Sequence, residues 1–465
     1  MTVTSKDMQA WCETLLAGRA AAPDATLADY LDAIPGLGSL EDLPSGTPVL
    51  VRGDVDAKPG PNIGDGDVRL RSMVDTLQFG RQNGWKQIVF GHIGRKPEGS
   101  LTKVAKRLSE IMECDVPLVS DWLDESSTTI LPAVAEQVAA AEPGAVIMLE
   151  NTRKYEIERA LWKAKPMDLP ALAPKLAKLA NEFAAKLGTT YVFEALSAGS
   201  LDVCSVVVPA AMDRVALGAY VENEFVGPMM QCLEAQLVIF SGLKIDKLDD
   251  LEAMVNRGRI RQVFAAGSLA MALRKAAAEL DGKKCCLGAA EDATNKDQPF
   301  YIPPARVEQA KRMIEGGRRK GIEFVLPIDS VIADGSVVDE LKPSDQQFDI
   351  GPTTSALFEQ KVGDFLASGA KGKVAFHNGV FGMFEDPKFE QGTKRFIPQL
   401  KRMTEAGVEV YIGGGEGGTA LEKYGQEDWV THVFTAGGTV LNALGSEPVP
   451  YLVALRAAAL QTATA

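Results

Sequence analysis

The stretch Tyr411-Ile-Gly-Gly-Gly-Glu-Gly-Gly-Thr-Ala-Leu-Glu422 decides the predicted fold. The alternating apolar run before it, residues 408–412, predicts a buried strand, and residues 419–423 after it predict the start of a helix. Glycine permits positive φ and close approach of other groups, so the turn can aim several backbone N–H groups at one point, which suits phosphate oxygens. The turn lacks the Gly-Lys-Ser/Thr of the common P-loop, and a plain tight turn is the alternative interpretation.

Length and charge narrow the class of protein. A chain of 465 residues is longer than the roughly 250–300 residues that one core serves, so we expect more than one domain. The net charge of −13 argues against nucleic acid and anionic membranes as partners.

No stretch approaches the roughly 20 apolar residues of a membrane span, and the N-terminus lacks the apolar core of a signal peptide. Six scattered cysteines without a C-x-x-C pair favour reduced thiols and a cytoplasmic location, and three histidines make a multi-histidine metal centre unfavourable.

Short apolar runs alternate with helical patterns along most of the chain. Such alternation predicts parallel sheets covered by helices on both faces. The fold class is therefore α/β, with two doubly wound, parallel-sheet (Rossmann-like) domains joined by a hinge helix. The strands are predicted at residues 48–52, 87–91, 146–150 and 190–193 in the first half, and at 237–240, 262–264, 323–326, 374–376, 408–412 and 432–434 in the second.

The same patterns predict the domain boundaries. Met8, Trp11, Leu15 and Leu16 have helical spacing, so we expect an added N-terminal helix that docks on the body or contacts a partner. The apolar C-terminal tail should pack back on the N-terminal domain. The divisions are residues 1–24 for the added helix, 25–215 for an acceptor-substrate domain, 216–236 for one interdomain helix, 237–445 for a nucleotide-binding domain and 446–465 for the tail.

Ligands of open α/β sheets bind beyond the carboxyl ends of the strands. In the first half, the residues after three strands include His92, Arg95, Lys96 and Arg153. Their convergence on an acidic protein fits an anionic small molecule, since arginine forms forked contacts with carboxylate or phosphate. Ordinary surface charge is the alternative for any one of them.

Glycines follow most strands of the second half, and Lys244 lies among them. A basic pocket in one domain and a glycine rim in another suggest phosphoryl transfer between two bound anions. Such transfer depends on positioning and charge neutralisation rather than on a covalent nucleophile. Two domains that close about a hinge supply both and exclude water.

The order of the motifs resembles that of the phosphoglycerate kinase family from about Leu40 to Leu455. The resemblance rests on many short motifs in sequence: Val49-Leu-Val-Arg-Gly-Asp54, the segment 64–71, His92-Ile-Gly-Arg95, Glu150-Asn-Thr-Arg153, Leu326-Pro-Ile-Asp-Ser-Val-Ile-Ala-Asp334, Asp349-Ile-Gly-Pro352, Asn378-Gly-Val-Phe-Gly-Met-Phe-Glu385, Gly413-Gly-Gly415 and Thr435-Ala-Gly-Gly438. It implies a monomeric kinase of glycolysis that uses ATP or ADP with Mg²⁺ and binds only small-molecule substrates.

The resemblance also implies roles for individual residues. Arg69, Lys244, Gly414 and Gly437 would be catalytic, with Arg69 steadying the transferring group and Lys244 touching it. Asp54, Asp56, His92, Arg95 and Arg153 would bind 3-phosphoglycerate. Glu416 would handle magnesium and Glu385 the ribose. The remaining nucleotide-binding residues would be Lys247, Gly267, Gly351, Asn378, Gly413, Gly415 and Gly417.

The chain departs from the family pattern mainly on the substrate side. Asp56 replaces an asparagine, Leu201 replaces a substrate arginine and Ser200 a histidine, while Gly417 replaces a hydroxyl residue. Losing one charge-assisted contact should weaken binding by about 1.5–3 kcal/mol. Two alternatives follow: a kinase of the same fold acting on another carboxylate, and a non-catalytic nucleotide-binding regulatory paralogue.

Overall fold

The computed structural model describes residues 25–445 and 448–462. The predicted N-terminal helix lies outside the described residues. The described chain forms two compact units, the first comprising the residues up to Val226 together with the C-terminal helix, and the second beginning at Gly227. Among the described residues, no helix combines the length and apolar character needed to cross a membrane.

A six-stranded parallel sheet forms the centre of the first unit. Its strands are β1 (Pro48–Gly53), β2 (Lys86–Phe90), β3 (Leu118–Val119), β6 (Val146–Leu149), β7 (Thr190–Glu194) and β8 (Arg214–Leu217), and β4 (Leu123–Asp124) pairs with β5 (Thr129–Ile130) in a separate hairpin. The strand order is β3-β6-β2-β1-β7-β8. Central β1 is apolar and buried along almost its whole length because helices cover both faces of the sheet.

Helices of the first unit follow the strands in turn. The α-helices are Leu27–Ala33, Val68–Ser72, Val74–Gln82, Thr102–Met112, Pro132–Ala140, Leu169–Lys186, Val203–Val206, Ala219–Glu224 and Pro450–Thr462, and short 3₁₀ turns occur at Leu37–Leu40, Thr152–Lys154, Glu156–Arg159, Pro166–Asp168 and Val208–Ala211. The last helix packs against Val203–Val206, β8 and Leu27–Ala33. Its Tyr451 ring stacks on Phe193 of β7, with 3.9 Å between ring centroids.

The second unit repeats the architecture. Its parallel strands are β9 (Leu237–Phe240), β10 (Gln262–Ala265), β11 (Glu323–Val325), β15 (Val374–Asn378), β16 (Glu409–Gly413) and β17 (His432–Val433), in the order β11-β10-β9-β15-β16-β17. A small antiparallel sheet holds β12 (Ser330–Ile332) between β13 (Val337–Val338) and β14 (Gln347–Ile350). The helices are Met230–Cys232, Leu248–Arg257, Gly267–Leu280, Pro304–Arg319, Pro352–Ala367, Gln391–Glu405, Gly415–Tyr424 and Gly437–Leu444, with 3₁₀ turns at Ile245–Lys247, Gly288–Glu291 and Glu427–Trp429.

The two parallel-sheet domains are confirmed, but the prediction of one helix over residues 216–236 is wrong. Ala216 and Leu217 belong to edge strand β8, and the helical segment starts at Ala219. A π-helical stretch, Phe225–Met229, then interrupts it. The proline at position 228 lacks an N–H donor, so the regular hydrogen-bond ladder cannot continue through this stretch. The apolar composition concealed this interruption.

Glu194, at the carboxyl end of β7, anchors the start of the helix Ala219–Glu224. Its buried carboxylate accepts hydrogen bonds from Thr76 Oγ1 at 2.7 Å, Tyr220 N at 3.0 Å and Val221 N at 3.2 Å. Burial nevertheless raises the pKa of Glu194 to about 7, although these donors favour the charged form. Between about pH 4.5 and pH 7, the folded protein therefore keeps a proton on the Glu194 carboxyl group that the unfolded chain has already released.

Glu194→Gln is expected to flatten the fall in stability between about pH 5 and pH 8. The folded pKa lies above the ordinary value of 4.5, so the contribution of Glu194 is full below 4.5 and is lost as pH rises through about 7. Because glutamine does not titrate, the variant should lack about 1–3 kcal/mol of the change in the free energy of unfolding across this pH range. Chemical unfolding at closely spaced pH values measures the difference between protein and variant.

Glu136→Gln is the matched control, because Glu136 is exposed on the helix Pro132–Ala140. The control should retain the full pH dependence. Burial also raises the pKa of Glu158 and of Asp349 to about 7, so some decline should remain in Glu194→Gln. Parallel curves for Glu194→Gln and the unchanged protein would contradict the assignment.

Candidate functional site

The predicted substrate side chains of the first unit follow the carboxyl ends of β1, β2 and β6. The motif that begins at Glu150 builds the loop that presents them. The Glu150 carboxylate accepts from Leu101 N at 2.7 Å and Asn151 N at 2.8 Å. Asn151 Oδ1 accepts from Ile93 N at 3.2 Å and Arg153 N at 3.1 Å. These two residues therefore fix the backbone from which the side chains of His92 and Arg153 project.

Asp202 lies at the centre of a buried group of basic side chains. Its carboxylate accepts a forked pair from Arg153, at 3.2 Å from Nε and 2.8 Å from Nη2, and a third hydrogen bond from Trp162 Nε1 at 3.0 Å. Arg52 Nη2 lies 3.7 Å from the same carboxylate. The Arg153 guanidinium also lies over the Trp162 ring, 4.6 Å from its centroid. Because a buried charge is costly without a partner, this carboxylate stabilises the arginines in the folded chain.

Arg52 determines the protonation of His92. Its Nη2 lies 2.9 Å from His92 Nδ1, and an arginine can only donate, so Nδ1 is the acceptor and the ring proton resides on Nε2. Burial, together with the charges of Arg52, Arg153 and Arg69, lowers the pKa of His92 well below its ordinary value. The ring is therefore neutral. The 3.5 Å approach of Nδ1 to Asp202 is consequently not an ion pair.

A second polar group surrounds Arg69 on the helix Val68–Ser72. Arg69 Nη1 donates to the Asp56 carbonyl at 2.9 Å and lies 3.2 Å from the Asp56 carboxylate. Its Nε lies 3.9 Å from Asp54, whose carboxylate also accepts from Ser197 Oγ at 2.7 Å. Burial raises the pKa of Asp54, and the Arg69 charge opposes that shift. Arg69 therefore has two acidic partners, Asp54 and Asp56.

Gly94 joins the two groups. Its N–H donates to Asp56 Oδ1 at 2.9 Å, and its carbonyl accepts from Arg153 Nη1 at 2.6 Å. Asp54, Asp56, Arg69, His92 and Arg153 thus belong to one continuous network.

An open cavity of about 350 Å³ adjoins this network. It is lined by Arg95, Arg153, Trp162, Ser200 and Leu201. Arg95 is exposed, whereas Arg153 is buried apart from its face on the cavity. Ser200 and Leu201, two of the positions at which the chain departs from the family pattern, therefore form part of the pocket wall. The cavity has a cationic side and an apolar side, and its volume suits a small anion.

Glycine turns at the ends of β9, β15, β16 and β17 form the rim of the second unit. Gly414 has φ of 90°, and a Cβ built on Gly437 would lie 2.6 Å from the Gly414 Cα, so these two turns touch through their backbones. Gly413 and Gly415 complete the turn, and the helix Gly415–Tyr424 begins there. The turns therefore present backbone N–H groups and a helix N-terminus on one rim.

Asn378, the last residue of β15, lies against this rim. A Cβ on Gly413 would approach Asn378 Oδ1 to 3.1 Å. Among the described residues, no acceptor meets the buried Nδ2 of Asn378. An unsatisfied buried donor beside a glycine turn is the arrangement that a phosphate oxygen would satisfy. The rim therefore fits a nucleotide phosphate.

The charged candidates of the second unit lie near these turns. Gly267, with φ of 66°, packs on the Gly242 carbonyl, and Lys247 Nζ lies over Gly242. Lys244 and Glu416 are exposed, and Glu416 occupies the first turn of its helix, next to buried Gly417. Among the described residues, no group of three or more His, Cys, Asp or Glu side chains could hold a metal ion.

Two of the predicted nucleotide-binding residues, Gly351 and Glu385, have neighbours other than the glycine turns. Gly351 begins the helix Pro352–Ala367 and faces the Asp329 carboxylate, which accepts from the N–H groups of Thr353 and Thr354 at 2.9 and 2.7 Å. Glu385 is exposed in the loop after β15, and Lys423 donates to the neighbouring Phe384 carbonyl at 2.8 Å. The binding roles of both residues stay predictions.

No role was predicted for Arg52, Trp162 or Asp202. A role for Arg52 could have been inferred, because a charged residue within a buried, apolar strand requires a partner. Asp202 and Trp162 belong to none of the quoted motifs, and 40 positions separate them in the chain. Only the fold brings them together.

Comparisons with known proteins agree with this architecture. The family model for phosphoglycerate kinase matches residues 40–447. Phosphoglycerate kinase of Bifidobacterium longum (strain DJO10A) is 31% identical over 443 residues, covering 90% of this chain and 99% of the relative. That of Thermosipho africanus (strain TCF52B) is 28% identical over 407 residues, covering 84% and 90%.

Solved structures share the fold. Phosphoglycerate kinase from Pyrococcus horikoshii OT3 superposes with a TM-score of 0.67 at 22% identity, covering 91% of this chain and 99% of that one. The enzyme from Coxiella burnetii gives 0.63 at 22% identity, covering 90% and 98%. The match of the family model over most of the chain shows that the protein belongs to the phosphoglycerate kinase family, whose members are phosphotransferases with a carboxyl group as acceptor.

Proposed function

We propose that the protein transfers a phosphoryl group between ATP or ADP and the pair 3-phosphoglycerate and 1,3-bisphosphoglycerate, without a covalent intermediate. The observation that carries the proposal is the cavity lined by Arg95 and Arg153, with neutral His92 in the adjoining polar network. The comparisons favour this function, and they lend no support to another acceptor or to a regulatory role without chemistry.

The acceptor side works through fixed donors. Arg95 and Arg153 supply charge to the anionic end of the acceptor, and His92 donates from Nε2. Arg69 balances the charge that develops on the transferring group. Because these donors are positioned before the reaction, little reorganisation is required at the moment of transfer.

On the nucleotide side, the glycine rim and Asn378 hold phosphates and Lys244 meets the transferring group. Magnesium bound with the nucleotide would supply neutralising charge, and Glu416, in the first turn of its helix, is the carboxylate that would hold it. The reaction then requires the two units to close about their anions and exclude water. We assign the activity to glycolysis in the cytoplasm, with small molecules as the only partners of the site.

Arg69→Ala is expected to lower kcat for ATP and 3-phosphoglycerate by about 10²–10³-fold, because it removes a charge that acts mainly in the transition state. The affinity for ADP should change little. A coupled assay measures turnover, and calorimetry measures ADP binding. A folded, nucleotide-binding sample of the unchanged protein that shows no turnover would reject the proposed function.

Arg71→Ala is the matched control for Arg69→Ala. It removes the same charge two positions away, from a side chain that pairs with Asp67 at 2.9 Å. Its turnover should stay within about threefold of the unchanged protein, because the Arg71 side chain is half-exposed and buried Asp67 keeps its ion pair with Arg107 at 2.7 Å. Equal losses in both variants would show that Arg69 has no special place in the reaction.

Gly437→Ala should weaken ADP binding and lower kcat by about 10²-fold, since its Cβ would push against the Gly414 Cα and displace the phosphate rim. Gly438→Ala is the control, because a Cβ there meets nothing within 4 Å. ADP titration and thermal unfolding of both variants separate lost binding from lost folding. Unchanged ADP affinity in well-folded Gly437→Ala would remove this turn from the nucleotide site.

A further inference from the structure

We propose that Asp202 is a specificity-determining residue that weakens anion binding in the first-unit pocket by competing with the acceptor for Arg153. This inference rests on the proposed function and extends it, because it identifies a built-in carboxylate as the residue that sets acceptor affinity.

The hydrogen bonds of Arg153 show the competition directly. A guanidinium has five N–H donors. Nε and one Nη2 donor bind Asp202, and one Nη1 donor binds the Gly94 carbonyl. Two donors are left for a ligand on the face that lines the cavity. A forked contact with substrate therefore cannot use the Nε–Nη2 edge while Asp202 holds it.

The charges in the pocket lead to the same conclusion. Arg52, Arg95 and Arg153 are cationic, His92 is neutral, and Asp202 cancels one of the three positive charges. Leu201 lines the cavity where the resemblance places a further arginine. The pocket thus has fewer positive charges than the family pattern implies, and one of them is paired internally.

Asp202 is buried, so the solvent screens its field on the cavity poorly. The Arg153 guanidinium is also held by its contact with the Trp162 ring. Asp202→Asn preserves the side-chain shape and can still accept from Trp162, and the backbone acceptor at Gly94 remains. The variant therefore removes the charge and the hydrogen bond from Arg153 Nη2, while the contacts of Arg153 with Gly94 and Trp162 remain.

Asp202→Asn is expected to bind 3-phosphoglycerate about tenfold more tightly than the unchanged protein, since a negative charge beside the pocket has been removed. The dependence of its Kd on salt should also be steeper, because more unpaired positive charge faces the ligand. Calorimetric titration over a range of ionic strength measures both. A folded variant with equal or weaker affinity would overturn the proposal and leave Asp202 as a residue that only positions Arg153.

Two further variants control for net charge and for folding. Asp42→Asn removes one negative charge from an exposed pair with Arg214, and its affinity should be unchanged. Asp202→Glu retains the carboxylate, so its affinity should stay close to that of the unchanged protein. An increase in affinity of similar size in all three variants would attribute the effect to net charge or loosened structure and would overturn the proposal.

Inorganic phosphate separates this inference from the proposed function. It probes the positive charge of the pocket without requiring recognition of a glycerate. If neither protein binds 3-phosphoglycerate, the proposed substrate is wrong, and tighter phosphate binding by Asp202→Asn still supports the competition. If phosphate binding also shows no gain in a variant whose thermal unfolding remains cooperative, the role of Asp202 is rejected whatever the substrate.

Discussion

The ion pair between Asp202 and Arg153 is the interaction on which the acceptor pocket depends. Arginine side chains are almost never fully buried without a partner, yet Arg52 and Arg153 are both buried at the end of the first sheet. Asp202 contributes to this by pairing with Arg153 at 2.8 Å and by lying 3.7 Å from Arg52. The same arrangement leaves His92 neutral with a defined tautomer, because Arg52 occupies its Nδ1. Stability of the unliganded pocket and strength of its ligand contacts are therefore linked through one carboxylate.

In the proposed sites, the two units would bind anions in different ways. The first unit would use the side-chain charges of Arg69 and Arg153, which are paired with Asp54, Asp56 and Asp202. The second unit would use backbone N–H groups on glycine turns, which carry no net charge and need no counter-ion. The positions of these backbone donors depend on close packing such as that of Gly437 on Gly414, so a substitution acts on them by moving the backbone rather than by removing a charge. The departures from the family pattern at Asp56 and Leu201 accordingly concern the unit that relies on side chains.

Most of the fold could be predicted because buried parallel strands are continuous apolar runs, and β1 and β9 show that pattern clearly. Edge strand β8 could not, since Arg214–Leu217 runs into an apolar helical segment without a break in composition. The glycine rim was foreseen from the local sequence, because a turn and the helix after it are adjacent in the chain. Asp202 was not, since its partners lie 40 to 150 positions away and no periodic pattern marks it. Long-range charge compensation depends on tertiary structure alone.

The position of Gly94 has a mechanical consequence. With φ of 64°, this residue offers its N–H to Asp56 and its carbonyl to Arg153, so one backbone segment supports the surroundings of both Arg69 and Arg153. A displacement of that segment would move the hydrogen-bond partners of both arginines at once. A force on one arginine would reach the other through three contacts: Arg153 to Gly94, Gly94 to Asp56, and Asp56 to Arg69. The surroundings of Arg69 and those of Arg153 therefore move together rather than independently.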